Sequence, residues 1–298
     1  MEAAGDRDPY FHPRYLEAAA LLDDATPAGF AHGGVLHAFL VRPLPDGACD
    51  VTTPYGYGGP QGSGSCWREP FRAACAERRV VSEFVRFHPL RANHEDAGDI
   101  SVRHVQDTVT VDVTQDDDGL MAQMASAGRT AVRKAAKAGV EPRPSRDLNR
   151  FRDMYVNTMR RVGAAERYLF SPEFFEQLER MGDGVVMLDA GCAAGLFLAG
   201  GGAMHYFLSA STDEGRALSA TNAILFAAMR HGREAGLATL HLGGGLVDGD
   251  SLQRFKQSMG AGRAPFFVGS AIHDAGAYEE LCATAGAADS ERFPAYRR

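Results

Sequence analysis

The stretch HLGGGLVDGDSLQRFKQSMG, residues 241–260, places a lysine inside a predicted helix, just after glycines that follow a predicted strand. These glycines are Gly243, Gly244 and Gly245. A strand end, a glycine crossing and a helix start leave backbone N–H groups available to a bound anion. Lys256, one to two turns into the helix, can stabilise a phosphate or an oxyanion there. The alternative is a surface lysine after a glycine-rich turn.

The start and end of this helix are also marked in the sequence. Asp250 or Ser251 can cap its first turn, because short polar side chains accept hydrogen bonds from the orphan N–H groups. Gly260 can end it. The segment therefore predicts a short helix that carries Lys256 at a fixed distance from the glycines.

An alanine-rich helix with a basic stripe is predicted over residues 119–138. Arg129, Arg133 and Lys137 recur every four residues, and Lys134 lies beside them. Alanine at most other positions leaves a flat surface that a phosphate backbone can approach, with salt-dependent binding. On pattern alone, a solvated helix face is the simpler interpretation.

Aromatic residues occupy the glycine-rich segment PYGYGGP, residues 54–60. The glycines permit backbone conformations that other residues avoid. Tyr55 and Tyr57 can line a pocket with rings and hydroxyl groups, or pack as an ordinary loop.

A strand arginine follows in FVRFHPL, residues 84–90. Alternation puts Phe84, Arg86 and His88 on one face of the predicted strand. An arginine within a strand is costly unless it is exposed or paired. Arg86 is therefore predicted to be an anion ligand or one half of an ion pair.

Polar residues in the second half can orient a substrate. Ser209 and Ser211 lie on the predicted strand AMHYFLSAS, which also carries His205, and Asn222 lies early in a predicted helix whose cap is Ser219. Neither a GxSxG nucleophile elbow nor a GxGxxG dinucleotide fingerprint is present. A serine nucleophile and a Rossmann cofactor site are therefore not predicted.

Composition limits the remaining classes. The formal charge of −7 does not attract nucleic acid to the surface as a whole, so RNA contact requires a local basic patch. Five scattered cysteines indicate reduced thiols, and no CxxC or HExxH pattern indicates a metal site. No apolar run is long enough for a membrane span, and the N-terminus shows no signal pattern, so a cytoplasmic protein is expected.

Strands and helices alternate in both halves, which predicts an α/β (α+β) fold with mixed sheets flanked by helices. The segment EPRPSRDLNR, residues 141–150, looks like a linker. We therefore expect two domains, 1–145 and 146–298. The terminal RFPAYRR is a candidate to return and pack on the first domain.

Several segments in this order resemble the FemABX-like branch of the GNAT acyltransferase superfamily. They are PYGYGGP, VSEFVRFHPL, RTAVRKAAKAGVE, SATNAILFAAMRHGREAGLATLHLGGG, LQRFKQSMG and RFPAYRR. The resemblance runs from about residue 30 to the end, and its most specific part is the pair LGGG and FKxxxG. It implies two tandem GNAT-like domains, the first for the amine acceptor and the second for the acyl donor.

The resemblance also implies an activity. Family members transfer an amino acid from aminoacyl-tRNA to an amine, most often in peptidoglycan cross-bridges. The family's Phe-Lys motif falls on Phe255 and Lys256, with the lysine near the reacting ester. The donor site would add Gly243, Gly244, Gly245, His205, Ser209, Ser211 and Asn222. The acceptor site would hold Tyr55, Tyr57 and Arg86, and the tRNA would meet Arg129, Arg133, Lys134 and Lys137.

Partners and cofactors follow from the same resemblance. Aminoacyl-tRNA is the expected co-substrate, and no other cofactor is expected. The cross-bridge enzymes are considerably longer than this chain, which puts the cell-wall precursor in doubt as acceptor. A small peptide, an amino sugar or a natural-product intermediate is a comparable candidate, and a carrier protein is a further candidate partner.

Two other functions remain open at this stage. One is an N-acyltransferase that uses acyl-CoA. Such enzymes hold the pyrophosphate on an R/Q-x-x-G-x-G/A loop between a strand and a helix, and no loop from a predicted strand into a following helix carries this pattern. The other is a non-catalytic protein that binds an acidic ligand. Affinity for coenzyme A would favour the first, and failure to form an amide from charged tRNA would favour the second.

Overall fold

The computed structural model describes residues 8–287, 290 and 292–297. The described residues do not include residues 1–7, which belong to the N-terminus predicted to lack a signal pattern. They also do not include Arg298, the last residue of RFPAYRR. The chain forms two compact units. The first contains residues 8–18 and Gln106–Ala264, and the second contains Ala19–Val105 and the residues from Pro265 onward.

The first unit contains a mixed sheet, in the order β6-β11-β10-β9-β8-β7. Its strands are β6 (Ser101–Asp112, whose first residues belong to the second unit), β7 (Arg143–Ser145), β8 (Val185–Asp189), β9 (Ala193–Gly200), β10 (Ala203–Ser211) and β11 (Thr239–Gly243). β11 runs parallel to β10 and antiparallel to β6, and the other pairs are antiparallel.

Helices cover both faces of this sheet. They are α1 (Pro13–Ala20), α3 (Asp117–Ala122), α4 (Ser126–Lys137), α5 (Leu148–Arg161), α6 (Pro172–Glu179), α7 (Asp213–Ala217), α8 (Ala220–Glu234) and α9 (Ser251–Met259). On one face α4, α8 and α9 enclose an apolar core that includes Val111, Met204 and Leu240. On the other, Phe207 packs against Tyr15 of α1 and Phe174 of α6.

The strands of the second unit pair in the order β1-β2-β3-β5-β12, with β4 paired to β2. Its strands are β1 (Thr26–His32), β2 (Val35–Pro43), β3 (Cys49–Thr52), β4 (Gly59–Gln61), β5 (Val80–Arg86) and β12 (Gly262–Ile272, which begins in the first unit). Its helices are α2 (Arg68–Glu77) and α10 (Ala275–Ala285). Within the described residues, no helix is long and apolar enough to cross a membrane.

The compact units do not follow the predicted division at residue 145. That position falls inside the first unit, at the end of β7, in the segment that the sequence presents as a linker. The N-terminal residues before Ala19 belong with the second half of the chain, and the C-terminal residues belong with the first. Tyr296 illustrates this exchange, because its hydroxyl group contacts Ser82 Oγ at 2.7 Å and donates to Asp50 at 3.0 Å.

Two local predictions are also corrected. The helix predicted over residues 119–138 is interrupted, because α3 ends at Ala122 and α4 begins at Ser126. Ser219 precedes α8 but adopts a left-handed conformation, with φ of 59°, and its side chain makes no capping hydrogen bond. Asp250, by contrast, is the N-cap of α9 as predicted and accepts a hydrogen bond from Gln253 N–H at 2.7 Å.

Candidate active site

Lys256 lies in the first unit with its side chain buried. Its Nζ donates a hydrogen bond to the carbonyl oxygen of Gly244 at 2.7 Å and lies 5.8 Å from the centroid of the Tyr206 ring. Only 9% of the residue is exposed. The surface-lysine alternative is therefore wrong, because a solvated lysine has no reason to hold a backbone carbonyl inside the fold.

Burial changes the acidity of this lysine. Removal from water disfavours the ammonium form and lowers the pKa of Lys256 to about 8, although the nearby charge of Asp250 opposes the fall. Asp250 stays ionised because backbone N–H groups, first that of Gln253, hold its pKa below the usual range. At neutral pH Lys256 is thus a cation in a largely dry environment, where its charge acts more strongly than in water.

The glycine crossing is organised by side chains. Gly245 N–H donates to Gln106 Oε1 at 3.0 Å, and Leu246 N–H donates to the Asp250 carboxylate at 2.7 Å. Val247 N–H reaches the same carboxylate at 3.3 Å. The prediction that N–H groups of the glycine crossing would be available to a bound anion is therefore wrong for Gly245, since the chain supplies its acceptor.

The Tyr206 ring is a neighbour of the Lys256 ammonium, and Tyr206 in turn contacts Ser209. Tyr206 and Ser209 both lie on β10, and the Tyr206 hydroxyl is hydrogen-bonded to the Ser209 side chain. Burial raises the pKa of Tyr206 to about 12, so it stays a neutral phenol and presents the face of its ring to the ammonium group. Of the predicted donor-binding polar residues, Ser209 is thus linked to Lys256 through the Tyr206 side chain.

The other predicted donor residues have structural contacts. Asn222 Nδ2 contacts Met259 Sδ at 3.2 Å, which joins α8 to α9. The backbone N–H of Ser211 donates to Thr158 Oγ1 at 3.1 Å and ties β10 to α5. Phe255, the neighbour of Lys256, packs against the apolar core of the first unit. These residues hold the elements around Lys256 together.

His205 lies on the opposite face of the sheet from Tyr206 and Lys256. Thr108 Oγ1 donates to Ala264 O at 2.8 Å, so His241 Nε2, at 2.9 Å, must donate to Thr108. His241 Nδ1 lies 3.1 Å from His205 Nδ1, within hydrogen-bond distance. The structure therefore does not place His205 beside Lys256. Instead, His205 forms a buried pair with His241 on the opposite face of the sheet.

Two groups that could bind a metal lie close together in the first unit. The Asp8 carboxylate and a ring nitrogen of His205 lie within 4.8 Å of each other, and both residues are buried. The expectation that the protein uses neither a metal nor a cofactor remains a prediction.

The basic helix α4 packs directly on α9. Ala125 N–H donates to Ser258 O at 3.1 Å, and a Cβ atom on Gly128 would lie 2.1 Å from that oxygen. Glycine at this position therefore allows the helices to touch. Arg133, Lys134 and Lys137 are exposed, whereas Arg129 is half-buried and donates to Met124 O. The predicted basic stripe thus lies in the same unit as Lys256.

The three predicted acceptor residues lie in the second unit. Gly58 N–H donates to Arg86 O at 2.8 Å, which joins the tyrosine loop to the end of β5. The Tyr57 ring lies edge-on to Phe266 at 5.4 Å, and burial raises its pKa above the usual range. The Arg86 guanidinium lies 5.0 Å from the Phe84 ring centroid. Tyr55 lies on the same loop and is half-buried.

A buried charged cluster in the second unit has no sequence motif. Glu83 Oε1 lies 3.3 Å from His37 Nε2, and Glu83 Oε2 lies 2.9 Å from Arg68 and 3.3 Å from His273 Nε2. Burial alone would raise the pKa of Glu83, but the hydrogen bonds from His273 and His37 and the Arg68 charge outweigh it and hold the pKa well below its usual range. The cluster joins β2, α2 and β5.

Solved structures with a similar fold identify the architecture. FemX superposes with a TM-score of 0.66 at 15% identity, covering 91% of this chain and 96% of its own. The chain has the fold of FemX. A C-terminal domain described as part of a lysylphosphatidylglycerol synthetase from Agrobacterium fabrum matches with a TM-score of 0.58 at 15% identity, covering 94% of this chain and 92% of its own.

A third structure extends this likeness to the FemX fold. L-PGS from Bacillus licheniformis matches with a TM-score of 0.55 at 13% identity, covering 89% of this chain and 87% of its own. Neither a protein-family model nor the sequence of a curated protein matches the chain. The fold that the FemABX-like resemblance implies, α/β with mixed sheets flanked by helices, is confirmed.

Proposed function

We propose that this protein is an acyltransferase that moves an amino acid from aminoacyl-tRNA to an amine and forms an amide bond. The observation that carries the proposal is the buried Lys256 ammonium, held by Gly244 O beside the Tyr206 ring. The FemX fold supports the transferase class, and the resemblance of the LGGG and FKxxxG segments supports the aminoacyl donor.

The proposed reaction begins with attack of a neutral amine on the ester carbonyl of the aminoacyl group. The new C–N bond forms as the carbonyl π electrons move to oxygen, which becomes an oxyanion. The Lys256 ammonium has N–H groups beyond the one donated to Gly244, and these stabilise the oxyanion by about 3–4 kcal/mol when the geometry is good. Collapse breaks the C–O bond, and the proton of the amine passes to the departing ribose oxygen.

The tRNA part of the proposal draws on α4. Its exposed cations, Arg133, Lys134 and Lys137, lie on a helix that touches α9 through Gly128 and Ser258. A phosphate backbone lying along this helix would be in the same unit as Lys256, as a tRNA donor requires. Oriented binding then supplies much of the rate, because an ester is already an activated acyl donor.

The acceptor is proposed by chemical class. Tyr55, Tyr57 and Arg86 offer rings, hydroxyl groups and a cation, which suit a small amine that also carries an anionic group. A small peptide, a natural-product intermediate and a cell-wall precursor all have this character. A carrier protein could deliver such an amine.

The test is amide formation with charged tRNA. Total aminoacylated tRNA, labelled in the amino acid, is incubated with the protein and a panel of amino acids, dipeptides and amino sugars, and labelled amide is separated from hydrolysed amino acid. Filter binding of charged and deacylated tRNA, with coenzyme A as competitor, is measured in parallel. Preference for charged tRNA and formation of amide support the proposal. Displacement by coenzyme A, with amide formed only from acyl-CoA, would replace it with the acyl-CoA function.

A further inference from the structure

The side chain of Gln106 pairs with the backbone of Gly245 through two hydrogen bonds. Gln106 Nε2 donates to Gly245 O at 3.0 Å, and Gly245 N–H donates to Gln106 Oε1 at 3.0 Å. Gln106 lies on β6 and is only 6% exposed. Its amide group therefore presents to Gly245 the same donor and acceptor that a neighbouring strand would present.

This pairing controls where the Gly244 carbonyl points. The carbonyl of Gly244 and the N–H of Gly245 belong to one planar trans peptide group, so they point in opposite directions. Gln106 holds the N–H side of that peptide, and Lys256 Nζ donates to the carbonyl side at 2.7 Å. Rotation of the peptide would break both hydrogen bonds together.

The surrounding residues fix Gln106 and require glycine beside it. Gln253 Nε2 contacts Gln106 Oε1 at 3.3 Å and donates to Asp248 at 2.8 Å. A Cβ atom on Gly244 would lie 2.5 Å from Gln106 Oε1. The glycine crossing therefore permits the close approach of Gln106 to the backbone.

We infer that Gln106 is a positioning residue that orients the Gly244–Gly245 peptide and thereby holds the Lys256 ammonium in place. The catalytic consequence rests on the proposed function, whereas the positioning of the ammonium does not. Gln106 touches neither substrate nor reacting atom in this scheme. It acts on the chemistry only through Gly244 and Lys256.

The experiment reads the lysine directly. The sequence contains three lysines, Lys134, Lys137 and Lys256, so protein labelled with 15N at lysine Nζ gives three signals, and Lys256→Met identifies one by its loss. The Lys256 pKa is measured by NMR titration in the unsubstituted protein, in Gln106→Met and in Gln106→Glu. Methionine keeps the volume but makes neither hydrogen bond, whereas glutamate keeps an acceptor for Gly245 N–H.

A matched control exists in the same unit. Gln123 pairs with the backbone of Asp112 in the same two-bond manner, accepting from its N–H at 2.8 Å and donating to its carbonyl at 2.8 Å. Gln123→Met removes an equivalent clamp that has no contact with the glycine crossing. It should leave the Lys256 titration unchanged.

The expected result is a fall of about one pH unit in the Lys256 pKa for Gln106→Met, since the charged form loses its oriented acceptor. Gln106→Glu should show no fall. An unchanged or raised pKa in Gln106→Met overturns the inference. If the methionine variant does not fold, a lowered pKa in the glutamate variant overturns it instead.

Kinetics separate this inference from the proposed function. With an active donor and acceptor, Gln106→Met should lower kcat at least tenfold with little change in the KM for tRNA. If no acyl donor reacts with the unsubstituted protein, the proposed function fails while the titration still decides the role of Gln106. If turnover occurs but the Lys256 pKa ignores Gln106, the inference fails and the function stands.

Discussion

Lys256 Nζ donates to the carbonyl oxygen of Gly244, twelve positions earlier in the chain, in an environment that disfavours its charge. The stabilising contact and the destabilising burial act on the same ammonium group. A lysine needed only for folding would be replaced with advantage by an apolar residue at such a site. This opposition leads to two predictions about Lys256, one for turnover and one for stability.

Lys256→Met should lower kcat for amide formation by about 10²–10³, because the oxyanion loses its cationic partner. Lys256→Arg should keep part of the activity, since the charge remains but the hydrogen-bond geometry changes. Arg254→Met, on the exposed side of the same helix, is the control and should have little effect. The measurement is single-turnover amide formation from charged tRNA. A Lys256→Met rate within threefold of the unsubstituted protein would remove the proposed role.

Lys256→Met should also raise the free energy of unfolding at neutral pH. The folded-state pKa of Lys256, about 8, lies below its ordinary value of 10.5, so the folded state binds fewer protons than the unfolded state between these values. Its cost to folding is therefore fully present below pH 8 and disappears as the pH rises towards 10.5. The difference between these two pKa values corresponds to a cost of about 3 kcal/mol at most in the free energy of unfolding.

Urea unfolding of Lys256→Met and of the unsubstituted protein tests this. The variant should be more stable by about 1–3 kcal/mol at pH 7, and the advantage should shrink as the pH approaches 10. Comparison of the two proteins cancels the titration of tyrosines that they share. A variant that is less stable at pH 7 would show that the Gly244 contact outweighs the cost of burial.

The sequence predicts the local parts of this site well. Asp250 caps α9 because its short carboxylate can accept hydrogen bonds from the free backbone N–H groups of the first helical turn. These groups lie within four residues of it in the chain. The basic stripe of α4 follows from spacing alone. Both features depend on neighbours in the chain, which a pattern can report.

Long-range relationships could not be predicted in this way. Gln106 carries no motif, and its partner Gly245 is 139 positions away. The histidine pair on the far face depends on the register of β10 against β11, which pairs His205 with His241. The division into units could not be predicted from the sequence either. Each unit contains two separate stretches of the chain, so no single position separates the units. The LGGG glycines are visible in the sequence, but Gln106, whose approach requires glycine at position 244, carries no pattern that marks it.

Contact between α4 and α9 should be sensitive at Gly128. Alanine there would place Cβ 2.1 Å from Ser258 O, so the helices must separate, at a cost of about 1–3 kcal/mol in the free energy of unfolding. Gly232→Ala on α8 is a matched control, since its nearest neighbour would be Val113 Cγ2 at 3.3 Å. Urea unfolding measures both. Equal effects of the two substitutions would contradict the close helix contact.

In the second unit, Glu83→Gln should destabilise the fold by about 3 kcal/mol at pH 7, because it removes one charge from a buried pair with Arg68. The pKa of Glu83 is held below its usual range, so its contribution is present above pH 4.5 and is lost only as the pH falls well below that. Glu69→Gln is the control, because Glu69 is exposed and follows Arg68 directly in the chain. Denaturant unfolding at pH 7 that shows the same stability for both variants would mean that the cluster contributes little.

Binding of tRNA should depend on salt through the exposed cations of α4. Changing Arg133, Lys134 and Lys137 to glutamine should weaken binding and reduce the steepness of log affinity against log salt by about two. Binding with fewer phosphate contacts releases fewer counterions from the tRNA. The control changes three exposed arginines elsewhere in the first unit, Arg160, Arg167 and Arg180, to glutamine and keeps the same net charge. Filter binding of charged tRNA at four salt concentrations supplies the slopes. Equal slopes for the two triple variants would show that α4 attracts tRNA only through the total charge of the protein, and its basic stripe would then be a solvated helix face.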